Sequence, residues 1–226
     1  MQELLLNLIP NVMSKLPVFY ASIEQTLIML VWSGSMSFLL GLLFGMAITV
    51  TKKDGVLENA FIYQILDKTT NFFRSIPFII LLAALVPLTR WIAGTAIGVE
   101  GAIVPLVFGT VPFFTRQIES ALAEMDYGLI EAAQSMGSSP IEIIFRVYLK
   151  ESVAAITRAT TIMLIFLIGL TAMAGAVGAG GLGDFAIRFG HQRNQIDVTY
   201  VTVLVLVLLV TLIQITGNFI ERKSTH

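Results

Sequence analysis

Side chains able to do covalent, acid–base or metal chemistry are few in this 226-residue chain. It has no cysteine, which excludes a thiolate nucleophile, a disulfide framework and a cysteine metal site. His191 and His226 are far apart in sequence, whereas a metal site needs ligands that converge. Four carboxylates near predicted helix ends form no paired acid–base set: Asp67, Glu119, Glu124 and Asp126. The sequence therefore indicates no catalytic site and no metal site.

One glycine-rich run has the letters of a nucleotide-binding loop. Residues 178–183, Gly-Ala-Gly-Gly-Leu-Gly, match G-x-G-x-x-G, but they end an apolar segment instead of joining a strand to a helix. This context favours close backbone packing or a flexible break. The chain has no G-x-x-x-x-G-K-[ST] motif and no Gly-Lys pair, so it cannot bind ATP through a P-loop. We expect no cofactor in this chain, and any energy must come from a partner.

The composition sets the class of protein. Hydrophobic residues make up 56% of the chain, charged residues only 13%, and mean hydropathy is +0.84. Soluble domains carry about 25% charged residues, so much of the usual solvated surface is missing. The net charge of −1 gives no electrostatic footprint for nucleic acid. These values predict an all-α membrane protein that crosses the lipid bilayer several times.

Runs without charged residues mark the membrane segments, because spanning takes about 20 mostly apolar residues. Three runs are long enough, and two shorter ones, 75–89 and 101–115, can span only if the flanking charges lie at interfaces. A three-span protein is the alternative. Residues 1–17 are expected to form an amphipathic lead-in at the interface. The five predicted spans are 25–50, 72–92, 97–117, 158–178 and 198–220.

The loop charges predict the orientation. With five spans, ten Lys and Arg residues fall on one side and four on the other: Lys15, Arg90, Arg188 and Arg193. Excess Lys and Arg marks the cytoplasmic side. The N-terminus is therefore predicted outside and the C-terminus in the cytoplasm.

Small residues and prolines suggest how the helices pack. Gly41 and Gly45 have the GxxxG spacing that lets two helix backbones approach, although glycine is also common in membrane helices. Prolines are predicted to interrupt spans two and three, which makes these spans candidates for lining a pathway. Met173, between two alanines, is either a flexible plug in that pathway or a packed or lipid-facing side chain. The prolines are Pro77, Pro87, Pro105 and Pro112.

Residues 124–152, between spans three and four, are too polar to span and carry a helix–turn–helix pattern. Residues 127–136 form the first predicted helix, and Gly137 takes the left-handed position after it. Ser139-Pro140-Ile141-Glu142 is a capping box with proline at the first helical position. The second helix places an apolar stripe on one face: Ile141, Ile144, Phe145, Tyr148 and Leu149. A rigid elbow of this kind indicates a docking surface for a partner.

Glu131, Ala132 and Ala133, followed by Gly137, resemble the EAA…G loop of ABC-importer permeases, which seats in a groove of a cytoplasmic ATPase. The position is the same: after span three, on the positive side, within a helix–turn–helix. The resemblance implies a coupling loop at 124–152 that includes Ser139, Pro140 and Glu142. One difference is Leu149-Lys150 where the family usually has Leu-Pro, so the second helix is expected to continue towards Arg158.

Residues 73–82, 102–106 and 174–183 are similar to the methionine-import permeases in particular. This resemblance implies one permease domain over 1–226 in a bacterial inner membrane, which pairs with a second copy of itself. It also implies two cytoplasmic ATPase subunits that hold ATP and Mg²⁺, and an external methionine-binding protein. A permease for another small amino acid is the alternative. An ion-coupled carrier is less favoured because spans one, four and five carry no Asp, Glu, Lys or Arg at mid-membrane depth. A structural or channel subunit would leave the elbow unexplained.

Overall fold

The computed structural model describes residues 8–224, so residues 1–7 of the predicted lead-in at 1–17, and His226, lie outside the described residues. All regular elements within 8–224 are helical. The N-terminal half holds α1 (Pro10–Met13), α2 (Leu16–Thr51), α3 (Ala60–Ser75), α4 (Phe78–Ala84), α5 (Val86–Ala93) and α6 (Gly98–Ala123). The rest holds α7 (Tyr127–Ser135), α8 (Pro140–Ile143), π1 (Ile144–Tyr148), α9 (Leu149–Glu151), α10 (Val153–Ala174), π2 (Gly175–Ala179), α11 (Gly181–Phe185), π3 (Ala186–His191) and α12 (Ile196–Ser224).

Four helices in the described part of the chain are long and apolar enough to cross a membrane. They are α2, α6, α10 together with π2, and α12. They correspond to the predicted spans 25–50, 97–117, 158–178 and 198–220, with α6 beginning one residue later than predicted. The prediction of an all-α membrane protein is confirmed.

The predicted span 72–92 is not one helix. Helix α3 ends at Ser75, α4 begins after Pro77, and Leu85 separates α4 from α5. Pro77 has extended backbone angles (φ −57°, ψ 135°), and proline also disfavours helical geometry in the residue before it. Proline thus breaks this segment as predicted, and none of its helices is long enough by itself to cross a membrane.

In span three, the prolines do not interrupt the helix as predicted. Helix α6 runs from Gly98 to Ala123 straight through Pro105 and Pro112. Pro105 is buried. More than half of the apolar window of α6 is buried within the protein. Packing on other helices can compensate for the hydrogen bonds that the prolines remove, so the predicted interruption of this span is wrong.

The chain divides into two compact units. Within residues 8–224, the first comprises 8–36, 76–109 and 164–213, and the second comprises 37–75, 110–163 and 214–224. The core of the first unit contains Met29, Leu106 and Leu167, from α2, α6 and α10. A further cluster in this unit centres on Phe185 and Phe189.

In the second unit, the glycines of α2 allow close helix packing. A Cβ added to Gly41 would lie 2.5 Å from Cδ1 of Phe114. One added to Gly45 would lie 2.6 Å from Cβ of Ile118 and 2.8 Å from the carbonyl oxygen of Thr115. Real Cβ atoms do not approach other atoms so closely, so only glycine fits at either position. The close-packing interpretation of the GxxxG spacing is confirmed.

Candidate functional site

The candidate site is the elbow formed by α7, α8, π1 and α9 in the second unit. Helix α7 begins at an Asp126 cap, whose carboxylate accepts a hydrogen bond of 2.9 Å from the backbone N–H of Gly128. It ends in a Schellman motif, in which Gly137 N–H donates to the carbonyl of Gln134 and Ser138 N–H to that of Ala133. Gly137 has φ +79°, so the predicted left-handed turn is confirmed.

The second arm of the elbow starts at the predicted capping box. Glu142 N–H donates to Ser139 Oγ at 3.3 Å, and Ser139 N–H donates to Glu142 Oε2 at 2.9 Å. The hydrogen bonds from the backbone and hydroxyl of Ser139 lower the pKa of the Glu142 carboxyl. Glu142 is therefore an anionic acceptor at neutral pH, and these two residues fix the direction in which the second arm starts.

Beyond the box, the buried face differs from the predicted stripe. Ile141 and Phe145 are each 65% exposed, whereas Ile143 and Tyr148 are buried. The chain passes into π1 at Ile144, and a π-turn bonds residue i to i+5. Residues 143 and 148, five apart, then share a face, which an α-helical period cannot show. The prediction that Ile141 and Phe145 share one face with Tyr148 is wrong.

The second arm joins α10 with little interruption. Helix α9 ends at Glu151, Ser152 leaves helical geometry (φ −95°, ψ 11°), and α10 starts at Val153. Lys150 stands exposed in α9. As expected without a proline at that position, helical structure continues past Lys150 to include Arg158, apart from the single break at Ser152.

The exposed surface of the elbow combines acidic and apolar groups. Glu131, Ala132 and Gly137 are exposed, as are Ser139, Pro140 and Glu142, while Ala133 packs inwards. Three large apolar side chains stand among them: Met136, Ile141 and Phe145. Sequence reasoning did not include Met136 in the site, although it stands next to Gly137 at the turn. These three side chains lie within ten residues of one another along the chain. Exposed apolar surface rimmed by polar residues is typical of protein interaction sites.

Contacts within the second unit hold the elbow in place. Arg158 pairs with Glu124 at 2.9 Å and with Glu221 at 3.6 Å. The hydroxyl of Tyr127 donates to the carbonyl of Asp54 at 3.3 Å. Ile130, Ala133, Ile143 and Tyr148 form the buried side. The base of the elbow is thus bonded and packed while its tip is exposed.

Arg116 binds two of the four carboxylates that the sequence places near helix ends, Asp67 and Glu119. It forms ion pairs with Asp67 on α3 and with Glu119, three residues later on α6, the latter at 2.5 Å. This arrangement joins α3 to α6 within the second unit. Asp67 and Glu119 therefore serve as ion-pair partners.

The predicted pathway residues lie in the first unit. Met173 is 41% exposed on α10, beside a fully buried Ala174. Pro77 is exposed at the break between α3 and α4, whereas Pro105 is buried within α6. Their role in a pathway stays a prediction.

The glycine-rich run forms a tight turn between α10 and α11. Gly178, Gly180 and Gly181 all have positive φ values, which accounts for the glycines. Gly181 N–H donates to Gln25 Oε1 at 2.7 Å, and Leu182 N–H to Thr26 Oγ1 at 2.8 Å. Sequence reasoning missed Gln25 and Thr26 because 156 positions separate each bonded pair.

The chain is similar to permeases of methionine transport systems. It is 46% identical over 202 residues to a probable D-methionine transport system permease protein of Vibrio cholerae, with 89% of this chain and 90% of that protein covered. It is 42% identical over 190 residues to the corresponding protein of Pasteurella multocida, with 84% and 88% covered.

Solved structures extend the similarity to three dimensions. A native crystal form of the inward-facing MetNI methionine ABC transporter matches with a TM-score of 0.92 and 42% identity, covering 94% of this chain and 99% of that chain. An amino acid ABC transporter with histidines matches with a TM-score of 0.78 at 14% identity, covering 95% and 98% of the two chains, which shows a shared fold. Residues 37–226 match the family described as binding-protein-dependent transport system inner membrane component. The chain belongs to this family of inner-membrane transport components.

Proposed function

We propose that the chain is the permease subunit of an ATP-driven methionine importer. Two copies would form the pathway, an external binding protein would deliver methionine, and cytoplasmic ATPase subunits would drive the cycle. The similarity to D-methionine permeases over about nine tenths of both chains supports the substrate and the assembly. ATP and Mg²⁺ belong to the partner ATPase in this proposal, since the chain carries no P-loop motif.

The observation that carries the coupling proposal is the exposed tip of the elbow. Met136, Ile141 and Phe145 would fill an apolar groove of the ATPase, with the exposed carboxylates of Glu131 and Glu142 at its edge. Two local devices set the angle between the arms, the left-handed Gly137 and the Ser139–Glu142 capping box. A tip with a fixed shape can transmit motion from the ATPase into α10 through the nearly continuous second arm.

We further propose five membrane crossings in a single permease domain over 1–226. Four are the long apolar helices, and the fifth is the broken segment α4–α5. An odd number of crossings leaves the two ends of the chain on opposite sides of the membrane. The excess of Lys and Arg in the loops then assigns the N-terminus to the outside and the C-terminus, with Arg222 and Lys223, to the cytoplasm. The elbow then lies on the same side as ATP.

Met173 is the proposed gate, and the pathway also passes Pro77 and the α6 segment that contains Pro105. An exposed, flexible side chain beside a buried alanine can close a narrow opening between two copies of the chain. We expect Met173→Ala to uncouple ATP hydrolysis from transport, so that ATPase activity depends less on the binding protein. Coupling ratios equal to wild type, at equal membrane levels, would show that Met173 is only a packed or lipid-facing side chain.

Uptake by the reconstituted transporter tests the proposed function. The chain is assembled with its ATPase and binding protein in proteoliposomes, and uptake of labelled amino acids is measured with and without ATP. We expect ATP-dependent uptake of methionine, and competition by D- or L-methionine above other small amino acids. Uptake of another amino acid without competition by methionine would overturn the substrate assignment. Uptake driven by an ion gradient without ATP would overturn the importer class.

A further inference from the structure

Three cations surround one aromatic ring in the first unit. The ring of Phe189 has the Arg193 guanidinium 4.8 Å from its centroid, that of Arg188 5.2 Å away, and the Lys15 ammonium 5.7 Å away. Phe189 itself is buried, whereas both arginines are exposed. Because the three cations contact the same ring, the distances between them are within about one Debye length at ~0.1 M salt, and their charges repel one another. We call these four residues the basic cluster.

The chain supplies little negative charge to the basic cluster. Among residues 8–224, one carboxylate lies within 4 Å of its cations, that of Asp184, at 3.9 Å from Arg188. The Asp197 carboxylate already accepts from both the backbone and the side-chain amide of Asn11, whose carbonyl accepts from Lys15. Lys15 donates to uncharged acceptors, the carbonyl of Asn11 and the hydroxyl of Ser14. Neither guanidinium donates a hydrogen bond to another described residue, although each presents five N–H donors in a planar fork. Two exposed arginines are thus free to bind an external anion.

The position of the basic cluster relative to α12 indicates which kind of anion it can bind. Arg193 lies just before α12, whose apolar window is only 11% buried within the chain. Ile196, Tyr200 and Leu204, four residues apart on α12, form an exposed apolar stripe that begins three residues after Arg193. Such a stripe on a membrane helix faces lipid tails, and a tyrosine one turn from its end is typical of the interface. The level of Arg193 is therefore the level of the lipid headgroups.

We propose that the basic cluster binds the phosphate of an anionic phospholipid. The two guanidinium groups can each donate paired hydrogen bonds to phosphate oxygens, Lys15 adds charge, and the acyl chains lie along the stripe of α12. The bound lipid would neutralise the mutual repulsion of the three cations. This proposal rests on the membrane helices and does not depend on the transported substrate.

Native mass spectrometry of the detergent-purified protein tests the proposal. The protein is exposed to equal concentrations of phosphatidylglycerol and phosphatidylcholine, and bound lipids are counted for wild type and for the double variant Arg188→Gln with Arg193→Gln. We expect wild type to retain phosphatidylglycerol preferentially, and the double variant to bind it about tenfold more weakly. Arg90→Gln is the matched control, because Arg90 is also exposed and predicted on the same side, and it should behave as wild type.

Two results would overturn the proposal. One is equal retention of phosphatidylglycerol by wild type and by the double variant, with thermal stability confirming that both are folded. The other is unchanged lipid binding with weakened association of the external binding protein, which would make the basic cluster a protein-docking surface.

Discussion

The angle between the two arms of the elbow depends on the backbone conformation of Gly137. A Cβ added at this glycine meets no atom within 4 Å, so substitution is opposed by the left-handed φ of +79° alone. That conformation costs other L-residues roughly 1–2 kcal/mol, more for β-branched side chains and less for asparagine. We expect Gly137→Val to lose most ATPase co-purification and transport at unchanged membrane level, and Gly137→Asn to keep part of both.

Gly94→Val is the matched control for this residue. Gly94 ends α5 with φ +74° and also has no atom near a built Cβ, but it lies outside the elbow. Its variant should suffer similar local strain and still co-purify with the ATPase. If Gly137→Val retained full ATPase binding and uptake, the geometry of the elbow would not be the coupling element.

At the scale of elements, the approach of α2 to α6 depends on Gly45. A Cβ at this position would meet the backbone oxygen of Thr115 and the branched Cβ of Ile118, neither of which can move freely. Overpacking of this kind costs about 1–3 kcal/mol, so Gly45→Ala should lower the thermal unfolding midpoint in detergent. Gly169→Ala on α10 is the control, because a Cβ there meets open space. It should be neutral or stabilising, and equal midpoints for the two variants would contradict the packing argument.

Sequence reasoning succeeded at this scale where the determinants are local. The capping box and the turn at Gly137 each depend on residues within a few positions of one another, and both formed as predicted. The exposure of Phe145 was not predictable from an α-helical period, because a π-turn shifts the buried face. The predicted break at Pro105 did not occur, because tertiary packing decides whether a membrane helix tolerates proline. The bond from Gly181 to Gln25 joins distant positions, which a local pattern cannot show.

For the whole molecule, the number of crossings determines which face each loop reaches. With five crossings, single cysteines introduced at Thr51 and Ser138 should react only with reagent supplied from the cytoplasm, and one at Gln192 only from outside. Labelling in intact cells and in inverted vesicles gives both measurements. Reaction of the Ser138 cysteine from outside would contradict both the orientation and ATPase docking, and four crossings would place the two ends of the chain on the same side.

Docking of the ATPase on the elbow is the central claim, and site-specific photo-crosslinking tests it most directly. A photoreactive phenylalanine analogue replaces Phe145 at the tip in one variant and Trp91 on α5 in the control variant. Trp91 is also aromatic and is 83% exposed, but it lies outside the elbow. After irradiation of the assembled transporter, the account predicts that the probe at 145 captures the ATPase and the probe at 91 does not. Capture of the ATPase from position 91 but not from position 145 would contradict it.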